Sequence, residues 1–326
     1  MTLASSQGAS TAANPGHEGL TSFGDRLAER VAARRSQIVL GLDPDPARLW
    51  PDAVRRAEAR LTAGEPAVRA AIAVAAHCAL VIEATAPQCV AVKPQVACFE
   101  RLGAAGWSVL AEVVALAREH GLLVIADAKR GDVDVTATSY AQAFLGATPS
   151  PYGSIPGLGA DAMTVNPLLG RDSLEPFVTT ARDHGRGLFV LVRTSNPGAS
   201  DVQERALADG SAVSDHLADL VAEIGAGGVG RMGLSDVGAV VGATAPKRLA
   251  ALRERMPHAV FLLPGVGAQG GNVEELAPAF APGPAGGLVS ASRGIVAAHE
   301  RTGGDPAAAA ATEAARLREL AWRLVA

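Results

Sequence analysis

Residues 121–132 read GLLVIADAKRGD, an apolar run that ends abruptly in alternating opposite charges. The apolar part predicts a buried strand, and Gly131 predicts a turn into a helix. Asp127 and Lys129 are two residues apart, so on an extended strand their side chains point to the same side. Barrels and open α/β sheets place active sites at the carboxyl ends of parallel strands. Taken alone, the segment is better explained as a solvated surface loop whose charges pair with one another, and the rest of the chain overturns that interpretation.

Seven similar apolar runs occur elsewhere in the chain, each ending in polar or glycine residues. With the first they give eight candidate strands: Gln37–Asp43, Cys89–Pro94, Leu122–Asp127, Ala162–Pro167, Gly187–Ser195, Gly238–Thr244, Val260–Gly267 and Gly287–Arg293. They are rich in Val, Ile and Leu throughout, as expected when both faces of a parallel sheet are covered. Helical spacing of apolar residues between the strands predicts helices such as Ala104–His120, Ala212–Ile224 and a buried one over Ala70–Ile82. The last helix is expected to begin with Asp305 as N-cap and Pro306 at its first position.

Eight strand–helix units favour an α/β fold of the closed (β/α)8 TIM-barrel type over an open sheet. No linker divides the chain, so we predict a single barrel domain over residues 21–326 and a disordered tail over residues 1–20. Three connections, 44–88, 130–161 and 196–237, exceed the length of one helix with its loops. They are expected to contain extra helices or lids.

Composition limits the classes of partner. The 326 residues are 48% hydrophobic and 19% charged, with a net charge of −4 and no basic cluster, which argues against binding to nucleic acid or to an acidic membrane surface. The 3 Cys residues show no metal-ligand spacing and suit a reducing compartment as buried thiols. The chain is therefore expected to be soluble and cytoplasmic.

Charged residues collect at three neighbouring strand ends: Asp43 after the first, Lys93 at the end of the second, and Asp127 with Lys129 at the third. Alternating charges at close range keep every group ionised, so each lysine stays an ammonium. Such a lysine is a poor Schiff-base nucleophile but a good proton donor and partner for a forming anion. The pattern therefore predicts chemistry that stabilises a carbanion or oxyanion and then protonates it.

Asp132 lies just beyond this group. Together with Thr136 it is expected on one face of the helix that follows, four residues apart. Asp132 also has a structural interpretation of equal weight, as a carboxylate that caps the start of that helix.

Glycine-rich turns end the seventh and eighth units, at 264–271 and 290–295. Such turns and helix starts expose backbone N–H groups to an anion, and in TIM barrels these two loops commonly bind phosphate. Gln269, Arg293 and Gly294 are the candidate phosphate ligands. After the fifth strand, the turn at 195–198 could present hydroxyl and amide groups to a planar ligand, with Ser195 or its neighbour Thr194 as the hydroxyl, or it could merely form a turn. The histidines, cysteines and carboxylates do not cluster as metal ligands, so neither a metal nor a cofactor is predicted.

These motifs resemble the orotidine 5′-phosphate decarboxylase family, in particular its longer bacterial members of the mycobacterial type. The resemblance spans residues 23–326 and rests on Gly-Leu-Asp-Pro at 41–44, Val-Lys-Pro at 92–94, Asp-Ala-Lys-Arg-Gly-Asp at 127–132 with Thr136, Arg-Thr-Ser-Asn-Pro-Gly at 193–198, Pro-Gly-Val-Gly-Ala-Gln at 264–269 and Ser-Arg-Gly at 292–294. It implies a cofactor-free (β/α)8 homodimer that converts orotidine 5′-monophosphate to UMP and CO2 in pyrimidine biosynthesis.

The resemblance also implies a role for each residue. Lys93, Asp127, Lys129 and Asp132 match the family's catalytic tetrad. Lys129 would protonate C6 as CO2 leaves, and Asp127 would lie against the departing carboxylate. The other implied contacts are Asp43 and Lys93 with the ribose hydroxyls, Ser195 with the pyrimidine edge, Gln269 and Arg293 with the phosphate, and Asp132 and Thr136 with the partner subunit's site.

Two alternatives remain open on the sequence. A Mg²⁺-dependent sugar-phosphate decarboxylase or aldolase of the same barrel type would share the Asp-x-Lys-x-x-Asp pattern, but it needs a carboxylate where this chain has Lys93. A catalytically inactive phosphate-binding barrel would be expected to have lost part of the tetrad, and all four members are present.

Overall fold

A computed structural model describes residues 20–60, 63–267 and 270–325. Within them eight parallel strands close into a barrel in chain order, so the predicted TIM barrel is confirmed. The barrel strands are β1 Ile38–Leu42, β2 Ala91–Pro94, β3 Leu123–Arg130, β4 Ala162–Val165, β5 Gly187–Arg193, β6 Val237–Val241, β7 Phe261–Pro264 and β8 Gly287–Ala291. All eight predicted runs contain a strand. Apart from Leu20, the predicted N-terminal tail lies outside the described residues.

Helices alternate with the strands and surround the barrel. They are α1 Phe23–Arg34, α2 Pro51–Arg60, α3 Pro66–Thr85, α4 Val96–Glu100, α5 Gly103–Glu119, α6 Asp134–Phe144, α7 Arg171–Asp183, α8 Ala199–Val202, α9 Val213–Gly225, α10 Pro246–Arg255, α11 Arg293–Val296, α12 His299–Thr302 and α13 Pro306–Arg323, with 3-10 turns at Ala86–Gln88, Ala226–Gly228 and Val273–Phe280. The predicted cap of the last helix is confirmed, since the Asp305 side chain accepts the Ala308 N–H at 2.8 Å.

The long connections contain extra elements, as predicted. The first holds α2 and α3, and the third holds α8 and α9. The second holds α6 and a short antiparallel hairpin that pairs Ala147–Thr148 with Ile155–Pro156. These additions leave the order of the barrel strands unchanged.

The helix α3 is longer than the predicted buried segment, because it extends from Pro66 to Thr85. Residues 66–88 are long and apolar enough to cross a membrane, but the core helices of soluble proteins meet the same criterion. Val74, Cys78, Val81 and Ile82 are buried in the same core cluster as barrel residues. The prediction of a buried helix is confirmed.

The amino end of the barrel is closed by α1, which precedes the first strand. The Phe23 ring meets the Phe189 ring edge to face at a centroid distance of 6.0 Å. Gly187 makes room for this contact, since a Cβ at that position would lie 2.3 Å from the Phe23 ring. Apolar side chains therefore fill the amino end of the barrel, and the charged strand ends lie at the opposite, carboxyl end.

Candidate active site

A cavity of about 480 Å³ opens at the carboxyl end of the barrel, a size that suits a small ligand. Seven residues predicted for the site line it: Asp43, Lys93, Asp127, Lys129, Ser195, Arg293 and Gly294. Three predicted residues do not appear in that lining. Asp132 and Thr136 lie elsewhere, and Gln269 is outside the residues that the structure describes.

Asp127 is the centre of the charged group. The Lys93 ammonium lies 2.5 Å from its Oδ2, and the Lys129 ammonium lies 2.6 Å from its Oδ1. Thr164 donates its hydroxyl to Oδ1 at 3.0 Å, and the Gln95 amide donates to Oδ2 at 3.3 Å. Four side chains from β2, β3, β4 and the β2 loop therefore fix one buried carboxylate, and both lysines are held beside it.

The two lysines differ in their access to the cavity. The side chain of Lys93 is 9% exposed, whereas that of Lys129 is 44% exposed. Both side chains line the cavity, but Lys93 is the more enclosed of the two. Lys129 is the more accessible to a bound ligand.

The backbone at Lys129 departs from the extended strand that the sequence predicts. Its φ angle is 47°, a left-handed conformation that side-chain-bearing residues rarely adopt. The β3–β4 ladder is irregular between Ala126 and Arg130, and the Lys129 N–H donates to Thr164 Oγ1 at 2.9 Å. The side chains of Asp127 and Lys129 do meet, as predicted, but through this turn of the backbone and not through strand alternation.

The electrostatics keep the group ionised. Burial disfavours the charge on Lys93, but the nearby Asp127 and Asp43 carboxylates outweigh it and raise the pKa of Lys93. Burial likewise opposes the charge on Asp127, yet Lys93 and Lys129 lower its pKa to about 2. The alternating charges thus stabilise one another, as the sequence predicts.

Asp132 and Thr136 do not share a helix face, so that prediction is wrong. The helix α6 begins at Asp134, after an extended Val133, and Asp132 precedes it in the loop. The Asp132 carboxylate accepts the Val133 N–H at 2.9 Å and does not cap the helix. The extended backbone of Val133, with φ −111° and ψ 154°, separates Asp132 from the helix, and Asp134 begins it with a left-handed φ of 52°.

At the end of β5, the Thr194 hydroxyl is already engaged. It lies 2.7 Å from Asn196 Oδ1 and 3.1 Å from the Gln203 amide nitrogen, and the Thr194 N–H donates to Gln203 Oε1 at 2.8 Å. The Ser195 hydroxyl makes no hydrogen bond within the described residues, although both side chains line the cavity. This difference favours Ser195 as the hydroxyl available to a ligand.

The opposite side of the cavity is formed by the loops after β7 and β8. Gly265, Ser292, Arg293 and Gly294 line it, and Arg293 begins the short helix α11. Arg293 is exposed, so its guanidinium is free of the core. The loops provide the glycine-rich, cationic surface that the sequence predicts for an anion.

Sequence reasoning missed several lining residues. Thr164 and Gln95 hold Asp127, Gln203 holds Thr194, and the apolar side chains of Leu191, Val240 and Leu262 form a wall of the cavity. Thr164 and Gln95 sit at or just past the ends of β4 and β2, and that position was the available signal. A neutral polar residue or a leucine in an apolar run gives none by its type.

In the part of the chain that the structure describes, no three His, Cys, Asp or Glu side chains group as metal ligands. The cysteines are free. Burial raises the pKa of Cys78 and Cys89, that of Cys89 to about 12, so these two thiols are unreactive at neutral pH.

Residues 36–311 match the family model described as Orotidine 5′-phosphate decarboxylase / HUMPS family. The chain is 47% identical over 227 residues to an orotidine 5′-phosphate decarboxylase from Rhodopirellula baltica, covering 69% of this chain and 73% of the relative. It is 42% identical over 276 residues to one from Deinococcus radiodurans, covering 84% and 88%. The solved structure of Leishmania donovani OMP decarboxylase superposes with a TM-score of 0.67 at 32% identity, over 92% of this chain and 99% of the other.

Proposed function

The chain belongs to the orotidine 5′-phosphate decarboxylase / HUMPS family, and we propose that its strand-end charges decarboxylate orotidine 5′-monophosphate without a cofactor. The enzyme is a carboxy-lyase that forms UMP and CO2 in de novo pyrimidine biosynthesis. The observation that carries the mechanism is the position of Lys129, whose ammonium is exposed to the cavity and lies 2.6 Å from Asp127.

The reaction breaks the bond between C6 of the pyrimidine and its carboxylate. The electron pair stays on C6, CO2 departs, and a proton must then reach C6. Lys129 stabilises the carbanion by its charge and donates that proton. It becomes a neutral amine, which water protonates again after product release.

Asp127 serves this step by fixing the lysines. Its carboxylate stays ionised because Lys93 and Lys129 lower its pKa to about 2. It lies where the carboxylate of the substrate departs. Electrostatic stabilisation of the carbanion by Lys129 is the main source of catalysis in this proposal.

With the pyrimidine beside Lys129 and Asp127, the contacts to the rest of the nucleotide follow. Asp43 and Lys93 bind the ribose hydroxyls, and Ser195 contacts the pyrimidine edge. Arg293, Gly294 and the glycine-rich loop containing Gln269 bind the phosphate. Binding energy from this remote phosphate positions the base for the chemical step.

We further propose a cytoplasmic homodimer with shared active sites. Asp132 and Thr136 are outside the cavity of their own subunit, yet they match family residues that reach the partner's site. Val133 and Val135, on the same segment, are 48% and 72% exposed. In the proposed dimer, the partner subunit covers these apolar side chains.

The Mg²⁺-dependent alternative is disfavoured by Lys93. A metal at the end of β2 needs a carboxylate there, and this position holds an ammonium 2.5 Å from Asp127 Oδ2. Such a charge repels Mg²⁺ and occupies the carboxylate oxygen that would bind it.

A decarboxylation assay with purified protein tests the function. Orotidine 5′-monophosphate should be consumed at the same rate with and without EDTA. Strict dependence on Mg²⁺, or turnover of a sugar phosphate alone, would contradict the proposal.

Hybrid dimers test the shared site. Lys129→Ala and Asp132→Ala chains are each expected to be inactive as homodimers. When they are mixed and allowed to exchange subunits, one site of each hybrid recovers both residues, so activity should return in part. No recovery after verified exchange would argue against a site built from two subunits.

A further inference from the structure

Trp50 is a buried tryptophan that precedes α2 and donates two hydrogen bonds. Its indole Nε1–H donates to the Val296 carbonyl at 3.0 Å. Its backbone N–H donates to His77 Nδ1 at 3.1 Å. Trp50 is 3% exposed. Its backbone contact to His77 is buried, and its indole contact to Val296 is partly buried.

Val296 is the last residue of α11, the four-residue helix that begins at Arg293. Arg293 and Gly294, at the start of that helix, line the cavity. A helix of one turn has no stability of its own, since nucleation costs more than its few hydrogen bonds return. Its position therefore depends on its contacts with the rest of the fold: Ile295 is buried in the core, and the Val296 carbonyl accepts the Trp50 indole N–H.

The support behind Trp50 is rigid. His77 belongs to the long buried helix α3 and is 3% exposed. The rings of Trp50 and His77 meet edge to face at 5.3 Å, and the Trp50 and His299 rings do so at 6.4 Å. Burial, with a smaller effect of His299, lowers the pKa of His77 to about 4. The ring is thus neutral near pH 7, and its Nδ1 stays an acceptor for the Trp50 N–H.

We propose that Trp50 is a positioning residue for the phosphate-binding end of the cavity: its indole N–H fixes α11, and α11 presents Arg293 and Gly294 to the anion. The inference rests on the proposed function only in taking that anion to be the phosphate of the substrate. Trp50 touches no part of the cavity, so its effect on binding passes through Val296.

Trp50→Phe tests this, because it keeps an aromatic ring and removes the N–H donor together with part of the volume of the indole. The Val296 carbonyl is partly buried, so it loses one hydrogen bond, and phosphate binding that depends on the position of α11 should weaken about fivefold. KM for orotidine 5′-monophosphate and the Kd of inorganic phosphate should both rise by this factor, while kcat changes little. Turnover of orotidine, which has no phosphate, should not change.

Trp107→Phe is the matched control. Trp107 is 40% exposed and packs beside Phe144 at 6.1 Å, on the outside of the barrel. The same change there should leave KM and the phosphate Kd unaltered.

Two results would overturn the inference. One is an unchanged Kd of inorganic phosphate in Trp50→Phe, and the other is an equal loss for orotidine and its monophosphate, as a general loosening would give. If Trp50→Phe does not fold, His77→Phe removes the acceptor on the other side of Trp50 and should shift the phosphate Kd in the same direction. Failure of the wild type to turn over orotidine 5′-monophosphate would contradict the function alone, because the phosphate measurement stands without it.

Discussion

Two buried carboxylates of this barrel each hold two cations, at opposite ends of the strands. Asp127, in β3 near the open end, contacts two lysines. Asp161, just before β4 at the closed end, contacts Arg26 at 2.8 Å and Arg186 at 2.6 Å. Their exposed fractions are nearly equal, 6% and 5%. Burial and the count of charges therefore do not separate the reactive group from the structural one.

The two carboxylates differ in the groups that they contact. Asp161 Oδ2 accepts the Val124 backbone N–H at 2.9 Å, and Arg26 also donates to the Gly185 carbonyl at 2.9 Å. These contacts join α1 and β3 to the loop before β5, and a guanidinium does not release its proton. Around Asp127 the partners are side chains, one of them an ammonium open to the cavity. A lysine can deliver a proton there, so the open end supports chemistry and the closed end supports the fold.

Lys129→Ala should have the largest effect. Loss of both the proton donor and the charge should lower kcat by about 10⁴-fold or more, as measured by steady-state decarboxylation. The side chain is 44% exposed, so the free energy of unfolding should change by less than about 1 kcal/mol. Lys129→Arg keeps the charge but holds its proton too tightly, and it should remain inactive. Activity in the arginine variant would show that charge alone suffices.

Asp161→Ala should do the opposite of Lys129→Ala: it should destabilise the fold and leave catalysis nearly unchanged. It leaves Arg26 and Arg186 without their carboxylate, and breaking a buried pair costs about 3–5 kcal/mol of unfolding free energy. Urea unfolding measures this, while kcat of the folded enzyme should stay within about twofold of wild type because the change is remote from the cavity. Asp219→Ala is the control, since Asp219 pairs with Arg255 at an exposed position and should cost less than about 1 kcal/mol. A large loss of kcat in Asp161→Ala would contradict the conclusion that the closed end of the barrel serves stability and not catalysis.

The residues of the open end can be predicted from the sequence because their charged side chains stand out at the ends of apolar runs. Eight runs of Val, Ile and Leu ending in polar residues predict the barrel, and charge at the ends of β1, β2 and β3 predicts Asp43, Lys93 and Asp127 as neighbours. The closed end gave no such signal. Asp161 meets Arg26 across 135 positions of sequence, and only the closed ring of strands brings them together.

Local backbone conformation is what the sequence could not supply. The left-handed turns at Lys129 and Asp134 are unusual for residues with side chains, and residue type does not predict them. The first changes how Lys129 reaches Asp127, and the second lies at the start of α6, which leaves Asp132 in the preceding loop. Trp50 likewise shows no chemical pattern in sequence, since its importance lies in the carbonyl that its indole meets.

Acid should weaken the open end in a defined range of pH. The pKa of Asp127 is lowered from 3.8 to about 2, since the attraction of Lys93 and Lys129 outweighs the opposing effect of burial. A carboxylate with a lowered pKa stabilises the fold fully above its unfolded value, and this contribution is lost as the pH falls toward the folded value. The difference corresponds to about 2 kcal/mol.

The comparison of wild type with Asp127→Asn isolates that contribution. The gap between their unfolding free energies, from urea melts, should be constant from pH 7 to 5 and should narrow as the pH falls from 4 toward 2. A gap that does not change with pH would mean that the lysines do not stabilise the ionised form.

Arg186→Lys should have the smallest effect, and it tests why the closed end uses arginine. The substitution keeps the charge beside Asp161, so the pair survives, but the planar guanidinium that reaches Asp161 Oδ1 at 2.6 Å is lost. One weakened charged hydrogen bond should cost about 1 kcal/mol of unfolding free energy, with kcat and KM unchanged. Arg316→Lys, at an exposed pair with Glu313 on α13, controls for the swap itself and should cost less. If Arg186→Lys were as damaging as Asp161→Ala, the geometry of the guanidinium, and not its charge, would hold the closed end together.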